Sequence, residues 1–180
     1  PHEKAIADAV EMIQNSKRPI ICVGNGANRK QISKMLNHFL EKTGIYFFNT
    51  QMGKGVISDE HPQALGTAAL SDQDYVHCGV ARADLVINIG HDVIEKPPFF
   101  MHQDSEQQVL HINFSPAEMD EVYFPQFEVV GDIANALWQI TESITPQESW
   151  DHRHFEHTRT QVREKMKEKA DDNSFPVKPQ

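Results

Sequence analysis

The chain has 180 residues, 39% of them hydrophobic and 24% charged, which suits one globular core of ordinary size rather than two. Its formal net charge of −9 argues against a nucleic-acid groove or an anionic membrane surface as partner, and no apolar run approaches the roughly 20 residues needed to cross a bilayer. The first residues, Pro1-His2-Glu3-Lys4, carry neither an initiator Met nor a signal-peptide core, so the chain is expected to be a piece of a longer protein with something attached at both ends.

From Glu3 to Asn15, Ile6, Ala9, Val10 and Ile13 recur at spacings of three and four and predict an amphipathic helix. Arg18-Pro19 then leads into Ile20-Ile21-Cys22-Val23, a continuous apolar run closed by Gly24-Asn25-Gly26, as in a strand buried on both faces and followed by a tight turn. Between Lys30 and Thr43, Ile32, Met35, Leu36, Phe39 and Leu40 keep the helical period, and Gly44 supplies a left-handed cap. A strand is expected at Ile45 to Phe48, and a Gly-rich stretch follows from Gln51 to Gly66. Ser71 and Asp74 form an S-x-x-D box that would open a helix running to about Ala81.

Leu85 to Ile89, closed by Gly90, reads as the clearest strand. Val109 to Asn113 and Glu128 to Val130 are further strands, with a turn or short helix at Ser115 to Asp120 between them, and Gly131-Asp132 opens a helix from Ile133 to Ser143. Buried strands alternating with amphipathic helices require parallel neighbours joined by long crossovers, with both sheet faces covered. The fold class is therefore α/β, a three-layer, doubly wound parallel sheet of the Rossmann-like kind. Residues 1–145 are expected to form this domain. The charged, helical segment from Trp150 to Lys169 and the polar tail containing Pro176-Val-Lys-Pro179 read as a connector toward a further domain, residues 146–180, outside the core.

Cys22 and Cys78 show no metal-ligand spacing and read as reduced core thiols, which points to a cytoplasmic protein. In a doubly wound sheet, ligands sit beyond the carboxyl ends of the strands. The loops to inspect are therefore Gly24 to Arg29, Thr50 to Gly55, Gly90 to Lys96, Asn113 to Ala117, and Gly131-Asp132. Gly24-Asn25-Gly26 could approach a phosphate or be a purely structural turn, since the third glycine of G-x-G-x-x-G is missing. Gln51 to Gly55 lacks the full phosphate-loop pattern, and Lys54 reads as a solvated loop lysine or a phosphate partner. Among the ten histidines, His61, His77, His91, His102 and His111 fall on different elements without ligand spacing and read as surface or satisfied core groups. Glu118, Asp120 and Glu121 read as a solvated face, and Asp132 as a helix cap or a ribose partner. No G-x-S-x-G nucleophile elbow occurs.

The ordered set Arg18-Pro-Ile-Ile-Cys-Val-Gly-Asn-Gly26, Glu41-Lys-Thr-Gly-Ile45, Thr50-Gln-Met-Gly-Lys-Gly55 with His61-Pro62 and Gly66, Ala83-Asp-Leu-Val-Ile-Asn-Ile-Gly90, His111-Ile-Asn113 and Val130-Gly-Asp132 resembles the central domain of acetolactate synthase-like enzymes over roughly residues 1–143. The resemblance implies a sheet of about six parallel strands and an enzyme acting on pyruvate or another 2-oxo acid, as in branched-chain amino acid biosynthesis. It also implies thiamine diphosphate and magnesium held by flanking pyrimidine-binding and pyrophosphate-binding domains of a homodimer or homotetramer. No catalytic or metal-binding residue is then expected in this chain, which has no G-D-G motif.

Several members hold FAD in this domain. By position the candidate cofactor-binding residues are Gly24, Asn25, Gly26, Thr50, Gly53, Gly90, His91, Asn113, Gly131 and Asp132. Gly90-His-Asp-Val-Ile-Glu-Lys-Pro-Pro-Phe-Phe100 stands where flavin-binding members carry an arginine-containing loop, and Asn113 where they carry an aspartate, so two flavin contacts are missing. The rival readings are a free-standing FAD- or NAD-binding module, a related NAD-dependent deacylase-like domain, and an oligomerisation domain. The apolar loop from Val93 to Met101 is expected to meet a neighbouring domain.

Overall fold

A computed structural model describes residues 1–170. Six strands, β1 (Pro19–Val23), β2 (Tyr46–Asn49), β3 (Ala64–Thr67), β4 (Leu85–Ile89), β5 (Gln108–Asn113) and β6 (Phe127–Val130), form one sheet in the order β3-β2-β1-β4-β5-β6. Every neighbouring pair is parallel. The chain runs outward from β1 to β3 and then returns to lay β4 against the other side of β1. The loops leaving β1 and β4 therefore diverge at a topological switch point, where this fold class opens its crevice.

The central strands β1 and β4 are buried on both faces, and alternation along the strands sorts side chains into two cores. Ile21, Val23, Phe47, Ile87, Ile89, Leu110 and Ile112 face α1 (Glu3–Asn15), α2 (Lys30–Thr43) and α4 (Ile133–Ser143), which supply Ile13, Leu36, Phe39, Leu137 and Ile140. Ile20, Cys22, Phe48, Leu65, Val86 and Val109 face the other way, toward α3 (Tyr75–Val80) and α5 (Arg153–Ala170). The result is the three-layer, doubly wound sheet that the sequence pattern predicts.

Helix ends follow their expected chemistry at two places. Gly44 closes α2 at φ 68, and its N–H reaches the Leu40 carbonyl at 2.8 Å. Asp132 caps α4 by accepting from the Asn135 N–H at 2.7 Å.

Other expectations need correction. The Gly-rich stretch from 51 to 66 contains the start of β3, a short edge strand that pairs with β2 through an irregular register. Asp74 is itself the cap of α3, accepting from the His77 N–H at 2.7 Å, so the box starting at Ser71 does not form. Residues 115–120 are irregular. Cys22 is buried, but Cys78 is exposed.

The largest correction concerns the segment after residue 145. Trp150, 8% exposed, joins the first core and donates from Nε1 to the Ile13 carbonyl at 3.3 Å. Phe155 is fully buried in the second core, and Thr158, also buried, faces Gly79 of α3, where an added Cβ would lie 3.2 Å from Thr158 Cγ2. Thus α5 is the cover of one sheet face, packed on α3 and β3. The tail containing Pro176-Val-Lys-Pro179 lies outside the described residues.

Candidate functional site

The candidate residues lie on loops at the carboxyl ends of β1, β2, β4, β5 and β6, along one rim. Glycines bring the first three loops together. A Cβ on Gly24 would sit 2.5 Å from the Gly90 carbonyl oxygen, and one on Gly53 would sit 2.0 Å from the Val23 carbonyl oxygen. Backbone therefore packs on backbone here, tied by Gly26 N–H to Gly90 O at 2.9 Å and Thr50 N–H to Val23 O at 3.0 Å. The glycines of Gly24-Asn25-Gly26 make these contacts with the β4 loop, which favours the structural reading of that turn.

The polar groups at the rim converge on a residue the sequence reading passed over. The carboxylate of Glu95 accepts from the Asn25 N–H at 3.0 Å through Oε2 and from the Met52 N–H at 3.1 Å through Oε1. Oε1 also accepts from the Thr50 hydroxyl, which in turn accepts from the Gly53 N–H at 3.0 Å. One carboxylate thus bridges the loops after β1 and β2.

The loop that carries Glu95 is held from several sides. Asp92 Oδ1 accepts from the Ile94 N–H at 2.8 Å, and the Asp92 carbonyl accepts from the N–H groups of Glu95 and Lys96, both at 3.1 Å. Asn113 Nδ2 donates to the His91 carbonyl at 3.1 Å, and His91 Nε2 donates to the Lys96 carbonyl at 3.0 Å. That bond puts the imidazole proton on Nε2 and leaves a buried Nδ1 with no partner among the described residues. Burial pushes the His91 pKa down to about 4, against the opposing pull of the Lys96 carbonyl and Glu95. Lys96 is buried, with its ammonium 4.5 Å above the Phe99 ring and no hydrogen-bond partner among the described residues. Burial also lowers its pKa, opposed by Asp74.

Beneath the rim runs a second network. Asn88 Nδ2 donates to the Tyr123 hydroxyl at 3.0 Å, the hydroxyl donates to His111 Nδ1 at 2.9 Å, and His111 Nε2 donates to the Ser115 carbonyl at 3.1 Å. Burial lowers the His111 pKa and raises that of Tyr123, so both stay neutral and the chain of bonds is self-consistent.

The structure therefore gathers Gly24, Asn25, Gly26, Thr50, Gly53, Gly90, His91 and Asn113 into one connected patch. Gly131 joins it through its N–H on the Asn113 carbonyl at 2.9 Å. Asp132 faces α4 as a cap, and Lys54 is exposed, 3.5 Å from Asp59. Val93 to Met101 folds partly back on the domain: Pro98 and Met101 are buried and Phe99 and Phe100 flank the His77 ring, while Pro97 and Ile94, the latter 91% exposed, stand outward. No three His, Cys, Asp or Glu side chains gather to hold a metal ion among the described residues, and no described helix is long and apolar enough to cross a membrane.

Three donors at the carboxyl ends of β1 and β2, the Asn25 N–H, the Met52 N–H and the Thr50 hydroxyl, all engage Glu95.

The family described as thiamine pyrophosphate enzyme, central domain, matches residues 6–140. The chain belongs to this family. This central domain is 29% identical over 136 residues to the acetolactate synthase of Bacillus subtilis (strain 168), an overlap covering 75% of the chain and 24% of that protein. It is 29% identical over 152 residues to the 3D-(3,5/4)-trihydroxycyclohexane-1,2-dione hydrolase of Lacticaseibacillus casei, covering 83% of the chain and 23% of that protein. A hydrolase of the same description from Bacillus cereus (strain AH820) is 30% identical over 146 residues, 80% of the chain and 22% of that protein. The central domain thus spans about a quarter of the length of the curated relatives it matches.

Proposed function

We propose that this chain is the middle, architectural domain of a thiamine diphosphate-dependent enzyme of the acetolactate synthase kind, which condenses or decarboxylates pyruvate or another 2-oxo acid. In this reading thiamine diphosphate and magnesium are held by flanking pyrimidine-binding and pyrophosphate-binding domains, in a cytoplasmic homodimer or homotetramer. The cofactor supplies the electron sink for the reaction. The role of this chain is to cover its sheet on both faces and fix the rim loops against one another.

The observation that carries the reading is the state of the polar groups at and beneath the rim. His111 is bonded to Tyr123 and Ser115, His91 to Lys96, and Glu95 to donors from two loops. These bonds tie loop to loop and strand to loop. They do not set an acid and a base facing a common substrate position, as proton-transfer chemistry would need.

The names of the relatives support a second reading of the substrate, a trihydroxycyclohexane-1,2-dione that is hydrolysed. One pair of assays separates the possibilities. With thiamine diphosphate, magnesium and pyruvate, the 180-residue chain is expected to give no turnover, whereas a polypeptide carrying it together with the flanking domains is expected to consume pyruvate only when thiamine diphosphate is added. Turnover by the 180-residue chain alone would overturn the architectural reading. A longer polypeptide that consumes the trihydroxycyclohexane-1,2-dione and leaves pyruvate untouched would favour the hydrolase reading.

A further inference from the structure

We propose that the Glu95 carboxylate is a built-in ligand of the rim, held by the anion receptor of Asn25 N–H, Met52 N–H and Thr50 hydroxyl in the place a nucleotide phosphate would take, so that this domain takes no FAD or other dinucleotide there.

Three observations converge on this. The donors are of the kind that binds phosphate in dinucleotide folds, backbone N–H groups and a hydroxyl at the carboxyl ends of β1 and β2, beside the switch point. Their occupant matches them, because an ionised carboxylate has two acceptor oxygens and no proton to donate, and here each oxygen is engaged. The loop is also preorganised to deliver it. Asp92 folds the backbone of Ile94, Glu95 and Lys96 into a compact turn, and His91 and Asn113 brace that turn from β4 and β5. The next side chain, Lys96, is buried against Phe99 and anchors the far side. Glu95 is thus fixed by residues on both sides of it, and its presence at the rim is not that of a mobile surface carboxylate.

A second anion cannot share these donors, since each is already bonded and the incoming charge would meet a like charge at hydrogen-bond distance. Loss of Glu95 should leave an open receptor. The inference rests on rim geometry alone, so its failure would leave the proposed reaction untouched.

The test uses the 180-residue chain, with FAD, ADP and inorganic pyrophosphate as probes in isothermal titration calorimetry. The wild type is expected to bind none of them at concentrations up to about 1 mM, and Glu95→Ala to bind ADP and pyrophosphate at least about tenfold more tightly than the wild type. Wild-type binding of ADP or FAD as tight as that of Glu95→Ala would overturn the proposal, and so would a folded Glu95→Ala chain that binds neither anion. A second measurement needs no loss of side-chain bulk: the amides of Asn25 and Met52 should exchange slowly in the wild type and faster in Glu95→Gln. Fast exchange of both amides in the wild type would also overturn it.

Discussion

The Tyr123 hydroxyl stands 2.9 Å from His111 Nδ1, donating to the imidazole while it accepts from Asn88, so one phenol joins β4 to β5 beneath the rim. Replacing Tyr123 with Phe keeps the ring in the second core but leaves a buried imidazole nitrogen without its donor. The expected loss is about 1–3 kcal/mol of stability, the desolvation penalty of an unpaired buried group. Urea denaturation of Tyr123→Phe against the wild type measures it, and an unchanged midpoint would mean that the network carries no stabilising role.

Stability should fall on acidification, because His91 is neutral in the folded protein. Burial pushes its pKa down to about 4 from the ordinary 6.5, so between those values the unfolded chain binds the proton and the folded chain does not. Stability is therefore fully present above about pH 6.5 and is lost as pH falls toward about 4, by up to about 3 kcal/mol from this residue. His111, His61 and His152, whose pKa values burial also lowers, act in the same direction. Denaturation midpoints at pH 7.5, 6 and 5 should decline in that order, and His91→Gln should flatten the decline.

Two glycine substitutions separate close approach from backbone dihedral. At Gly44, φ is 68 but nothing lies within 4 Å of an added Cβ, so Gly44→Ala should lose about 1 kcal/mol through left-handed strain. At Gly53 the Cβ would meet the Val23 carbonyl oxygen at 2.0 Å, and Gly53→Ala must push the β1 and β2 loops apart. A loss of about 3 kcal/mol or more is expected there, at the upper end of overpacking effects. Equal melting temperatures for the two variants would contradict the packing of the rim.

Removal of the Phe155 ring tests whether α5 belongs to the domain. Its side chain is fully buried against the second core, so Phe155→Ala should lose about 3–5 kcal/mol in thermal or urea unfolding. A loss below about 1 kcal/mol would restore α5 to the status of an external connector.

What the sequence made legible followed from periodicity strong enough to survive without tertiary context. Leu85 to Ile89 is apolar in four of its five positions and ends at a glycine with φ 63, while α2 shows a helical stripe closed by Gly44. Ala64–Thr67 escaped because it is four residues long, buried only in its first two positions and contains Gly66, so neither length nor alternation marks it as a strand. In α5 the buried positions Phe155 and Thr158 are followed by the half-buried Val162, and a polar residue in a charged helix hides the contact with Gly79. Glu95 escaped for a different reason. Its loop was among those to inspect, but its partners lie 43 to 70 residues earlier in the chain, and only the parallel sheet brings them together.

The architectural account is tested most directly by titrating thiamine diphosphate with magnesium into the purified 180-residue chain and following heat release. No saturable binding is predicted, because in the proposed reading the flanking domains, not this one, hold thiamine diphosphate and magnesium. Stoichiometric binding of the cofactor by this chain unaided, at a Kd of about 1 μM or tighter, would contradict it.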